Sequence, residues 1–148
     1  MDFELTPEQK DIQRAAREFA QGEFDKDKIL ELEQTHSFPK ELWKKAARLG
    51  FIGVHYPEQY GGQGYGVMEN TLVVEELCRK DSGVGIALSV VDFSSEVVLR
   101  FGSHEQKKKY LIPLTKGECI SAGAYTEPDH GSDITLMATT ASKRAIPL

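Results

Sequence analysis

Apolar residues recur at three- and four-residue intervals along most of the chain, and polar breaks cut the pattern into separate helices. Thr6-Pro7-Glu8-Gln9 reads as a helix start, with Thr6 capping, Pro7 in the first position and Gln9 closing a capping box. Ile12, Ala15, Ala16 and Phe19 follow as one buried face, and the mostly charged segment from Gly22 to His36 breaks the pattern. A second start at Ser37-Phe38-Pro39 leads into Leu42, Trp43, Ala46 and Leu49, with Gly50 placed as a left-handed stop. Phe51 to Val54 predicts a short buried connector, and Pro57 to Gly64 a loop. From Val67 to Arg79 the spacing predicts a helix with Met68, Leu72, Val73 and Leu77 inside and Glu75 and Glu76 towards water. The stretch from Gly83 to Phe101 is apolar almost all round, as a helix in the middle of a bundle would be. Ser103 and Gln106 cap a fifth helix, with Lys107, Lys108 and Lys109 on its wet face. Lys116-Gly117-Glu118 then turns the chain into a strand, Cys119 to Gly123, which runs into the loop AYTEPDHGSD, residues 124–133.

A chain of 148 residues, 40% apolar and 28% charged, has the composition of a globular domain with a real core. The net charge of −5 leaves no basic stripe to neutralise phosphates and excludes a nucleic-acid surface. Cys78 and Cys119 stand alone without a C-x-x-C pattern, so they read as reduced thiols with no zinc site or disulfide. The opening MDFELTPEQK lacks the basic and apolar parts of a signal peptide, and no apolar run approaches a membrane span of roughly 20 residues. A cytoplasmic protein is the expectation.

The loop carries the candidate chemistry. Pro128 disfavours helix before it and Gly131 permits a left-handed turn. Gly131-Ser132 offers consecutive N–H groups and a hydroxyl suited to a phosphate oxygen, while Tyr125 and Thr126 offer donors for the carbonyl edge of a heterocycle such as flavin. A simple turn is the plain alternative.

Three stretches, FPKELWKKAARLGFIGVHYPEQYGGQG (38–64), GSHEQKKKYLIPLTKGE (102–118) and AYTEPDHGSD (124–133), together resemble the N-terminal half of the FAD-dependent acyl-CoA dehydrogenases. The resemblance runs from about residue 5 to 141 and keeps the family order. It implies a mainly α fold, a helical domain followed by the first strand or strands of a β-barrel domain; with the capped segments and the one apolar strand, the expected bounds are 1–117 for the helical domain, 118–141 for the β-segment and 142–148 for an irregular tail. It also implies FAD contacts from Gly123, Ala124, Tyr125, Thr126, Gly131 and Ser132, with Thr126 donating near the N1–C2 edge of the flavin. Ser132, Gly85, Ser89 and Phe93 are the implied contacts to an acyl-CoA substrate. The implied reaction is α,β-desaturation of the thioester, with electrons passed to an electron-transferring flavoprotein by a homo-oligomer, a tetramer in the intact family.

The ending ASKRAIPL (141–148) departs from the family's next turn, and none of Glu4, Glu58, Glu75, Glu76, Glu96 or Glu127 matches the family's base. The expectation is an incomplete chain whose catalytic Glu lies beyond residue 148, inactive alone. The alternative is a non-catalytic helical fragment that self-associates or binds partner proteins. Asp92 interrupts the apolar run SVVDF, adjacent to the implied acyl pocket. Pairing with Arg79 or Arg100 is the ordinary account, and an auxiliary acid or base suited to an unusual, cyclic acyl chain is the sharper one. Asp129, His130 and Asp133 read as a solvated turn and not a metal site, and HGSD lacks the G-x-S-x-G elbow of a hydrolase.

Overall fold

The computed structural model describes residues 4–142. Seven α-helices occupy them: α1 (Pro7–Glu23), α2 (Lys26–Gln34), α3 (Lys40–Arg48), α4 (Val67–Lys80), α5 (Ser82–Ser89), α6 (Ser95–Phe101) and α7 (His104–Thr115). Helix α1 packs along α4, α4 along α5, and α6 along α7. Ala16, Phe19, Trp43, Tyr56, Leu77 and Leu111 belong to the single core between them.

The caps read from the sequence form as expected. Thr6 and Gln9 close one capping box and Ser103 and Gln106 another, their side-chain oxygens accepting from N–H groups that a helix start leaves without partners. Gly50 adopts φ +79° just past α3, where a side chain would be strained.

Other expectations are corrected. The charged segment after Gly22 forms α2, because Asp25 accepts from the Lys28 N–H at 3.0 Å and buried Ile29 anchors a run of good helix formers. Ala15 and Met68 face water. Glu76 is fully buried and holds Arg17 of α1 through two hydrogen bonds of 2.8 and 2.9 Å.

The apolar stretch 83–101 is two helices separated by a turn at Val90–Ser94. Here the connector 51–56 competes for the backbone: Asp92 Oδ2 accepts from the Gly53 N–H at 3.0 Å, and Tyr56 Oη donates to the Asp92 carbonyl at 3.0 Å. Nor is the stretch buried all round. Val84, Leu88 and Val91 enter the core, whereas Phe93 is 66% and Phe101 82% exposed.

The strand expected at Cys119–Gly123 does not form among the described residues. A ladder needs a second extended segment alongside, and the only backbone bond in this stretch runs from the Ser121 N–H to the Val91 carbonyl, at 2.8 Å. The Glu127–His130 pair is an isolated bridge closing the loop.

Candidate functional site

Three pieces of chain converge on one cleft: the turn between α5 and α6, the connector 51–56, and the loop after Ser121. The turn exposes Phe93 because Val91 and Asp92, the two residues before it, are held inward. The Ser121–Val91 bond draws the loop across the turn, and the ring of Tyr125 meets that of Phe93 edge to face, centroids 6.3 Å apart. This ring pair borders two open cavities. One, of about 610 Å³, is lined by His55, Ser89, Asp92, Phe93, Glu96 and Tyr125 among others. The other, of about 590 Å³, runs past Val90, Ile120 and Gly123.

Polar groups gather on one side of the larger cavity. Glu96 accepts from Arg100 Nε at 2.6 Å and meets His55 Nε2 at 3.1 Å. Burial works against ionisation of Glu96, but the Arg100 and His55 contacts prevail and hold its carboxyl below the ordinary range. Asp92 goes the other way: burial raises it, and the Gly53 N–H only partly compensates. Neither suggested arginine reaches it, since Arg79 binds Glu75 and Glu76 and Arg100 binds Glu96. Buried Tyr56 is raised well above the ordinary phenol, chiefly by desolvation and next by Asp92.

Of the residues singled out by the sequence, the structure brings Ser89, Phe93, Asp92 and Tyr125 onto the one cavity. Ser89 spends its hydroxyl proton on the Gly85 carbonyl, 2.6 Å away. Gly85 is buried against α4, and a Cβ there would lie 2.6 Å from the Cys78 nitrogen, so it sets helix spacing and does not line the cavity. Gly123, Ala124 and Thr126 are exposed along the loop, as are Gly131 and Ser132 beyond its bend.

Sequence reasoning missed Glu127 as the loop's organiser: its carboxylate accepts from the Ala138 and Thr139 N–H groups at 2.8 Å each, and from the Thr139 hydroxyl. Those three bonds hold its carboxyl below the ordinary range. The His55–Glu96 contact was also missed; the two residues are 41 apart, with no local pattern to link them.

Among the described residues the N–H groups of Gly123, Ala124, Tyr125 and Thr126 meet no acceptor. Four successive free donors plus the Thr126 hydroxyl fit a ligand edge rich in carbonyl and ring-nitrogen acceptors, which is what flavin presents.

Residues 6–118 match the family described as acyl-CoA dehydrogenase, N-terminal domain. The chain is 39% identical over 142 residues to a short-chain-specific acyl-CoA dehydrogenase of Clostridium acetobutylicum, covering 95% of this chain and 37% of that one. It is 40% identical over 144 residues to an L-prolyl-[peptidyl-carrier protein] dehydrogenase of a Serratia species, again covering 95% and 37%. A solved acyl-CoA dehydrogenase of Bacillus anthracis, complexed with FAD, superposes with a TM-score of 0.80 at 35% identity, covering 91% of this chain and 23% of that one. The chain thus spans little more than a third of the length of the curated relatives it matches. It belongs to the acyl-CoA dehydrogenase family, with residues 6–118 forming that family's N-terminal helical domain.

Proposed function

We propose that this domain forms the acyl-binding wall and part of the flavin-binding edge of an FAD-dependent acyl-CoA dehydrogenase, which removes hydrogen from the α- and β-carbons of an acyl thioester. The observation that carries the reading is the Phe93–Tyr125 contact, which brings the loop of free N–H donors against the α5–α6 cavity. Gly123, Ala124, Tyr125 and Thr126 would hold the ring's polar edge, and Gly131 and Ser132 a phosphate-bearing part of cofactor or substrate. When bound, flavin supplies the acceptor for the hydrogen leaving the β-carbon. The Thr126 hydroxyl, donating towards the N1–C2 edge, would favour the negative charge that collects there on reduction. Phe93 and Ser89 would flank the acyl chain, exclude water and hold it against that edge. We assign the α-proton to no carboxylate of this chain. An electron-transferring flavoprotein as electron acceptor and a homo-oligomer are part of the same proposal.

The protein expressed from its whole reading frame should be yellow, absorbing near about 450 nm as flavins do. It should bleach anaerobically when a saturated acyl-CoA is added. A colourless protein, or a yellow one that no thioester bleaches, would rule the reading out.

The exposed apolar row of Ile86, Val90, Phe93, Val97 and Phe101 favours a second reading for the 148-residue chain by itself: a non-catalytic helical piece that self-associates.

A further inference from the structure

We infer that Asp92 is a specificity-determining residue, selecting thioesters whose acyl group carries a basic nitrogen over those whose acyl group is plain hydrocarbon. This rests on the thioester-dehydrogenase reading and adds to it the class of acyl group. Most of the cavity is indifferent to the choice: Val67, Phe93, Val97 and Ile134 offer apolar surface to any acyl chain. The charged groups are what discriminate. Glu96 and Arg100 engage each other at 2.6 Å, and His55 Nε2 shares the same carboxylate at 3.1 Å, so the Glu96 carboxylate already has its cationic partners, while His55 Nδ1 meets no partner among the described residues.

One of the Asp92 oxygens takes the Gly53 N–H at 3.0 Å, and among the described residues no cationic side chain pairs with Asp92. The Tyr56 hydroxyl beside it is committed to the backbone carbonyl of Asp92. A hydrocarbon group seated here would strip water from the carboxylate and return nothing. An ammonium or protonated ring nitrogen would replace that water with a charge-assisted hydrogen bond. A carboxylated acyl group is disfavoured, since the nearest guanidinium, Arg100, is already held by Glu96 and two unneutralised carboxylates would meet. Burial and Glu96 already disfavour the charged form of Asp92, with the Gly53 N–H and His55 opposing them, and an arriving cation would relieve that cost.

The test compares two ring-matched thioesters on the same thiol, pyrrolidine-2-carbonyl and cyclopentanecarbonyl, using the flavin-loaded protein expressed from its whole reading frame. In the wild type kcat/KM should favour the pyrrolidine ester by about tenfold or more. Asp92→Asn keeps an acceptor for the Gly53 N–H and removes the charge, and should bring the ratio close to one at unchanged flavin content. A wild type that prefers the carbocycle overturns the inference. So does a ratio that survives Asp92→Asn, or a loss falling equally on both esters, which marks a structural role. Should Asp92→Asn not fold, the wild-type ratio decides alone. A protein that oxidises a straight-chain acyl-CoA but neither ring ester sinks this inference and spares the reading beneath it. One that binds no flavin and oxidises no thioester sinks both.

Discussion

Thr126 and Ser132 lie on the same exposed loop six positions apart, and their different chemistry makes them separable. Thr126→Val keeps the volume and removes the hydroxyl. In the flavin-loaded protein, leaving the flavin edge without that donor should cost on the order of 1–3 kcal/mol. The cost should fall on flavin reduction in stopped-flow traces and spare binding of the CoA ester. Ser132→Ala should do the reverse, raising KM with little change in kcat. If both variants match the wild type in flavin content, reduction rate and affinity, the loop is only a turn. The loop was legible because Gly, Pro, Ser and Thr sit at positions whose backbone preferences are local. Asp92 was only half legible. A carboxylate in an apolar run announces that something must satisfy it, but nothing local says that the partner is a backbone N–H 39 residues earlier.

Helix α4 shows where periodicity was available and misread. Leu72, Val73 and Leu77 define its inner face, and Glu76 lies at helical spacing from both Leu72 and Val73, so the pattern itself places it inside. A buried carboxylate at such a position requires a cation, and Arg17 on α1 is it. Hydrogen bonding from Arg17 outweighs burial and holds Glu76 below its ordinary value of 4.5. A carboxyl depressed by folding stabilises the fold fully above its unfolded value, and that contribution is lost as pH falls through the folded one. Glu76→Gln should therefore cost about 1–3 kcal/mol at neutral pH. The difference from wild type in urea melts should begin to shrink as pH falls below 4.5; a gap that stays constant on acidification would mean the pair contributes nothing through its charge. Between α4 and α5 the constraint is steric. Gly85→Ala puts a methyl 2.6 Å from one backbone atom of Cys78 and 2.7 Å from another, neither of which can rotate away. A loss of about 1–3 kcal/mol is expected for such overpacking, and an unchanged melting temperature would show that the two helices slide freely. The split of 83–101 was beyond sequence reasoning, because it depends on the Gly53 N–H and the Tyr56 hydroxyl of the connector reaching a helix not yet placed beside it.

At the scale of the molecule, one face of this domain is finished and the other is open. Phe93, Val97 and Phe101 lie exposed on the turn and α6, and exposed Ile134 lines the same cavity as Phe93 and Val97. Patches of that kind on soluble domains are covered by something. The 148-residue chain alone should self-associate, seen as dimers or larger species in sedimentation velocity, and Phe93→Glu combined with Phe101→Glu should return it to monomer. A clean monomer without these changes would show the patch to be tolerated as it stands. The helical architecture was readable from caps and spacing, whereas the fate of the segment after Glu118 was not, since a strand is defined by its neighbour. The double tether of the α5–α6 turn to Gly53 and Tyr56 reaches further than the turn itself. Residues 53–56 and 89–96 form one inheritable block: a chimera that borrows the acyl pocket of a relative by exchanging only its helices would arrive without the connector that shapes it, and the grafted helix would be free to run straight through the bend.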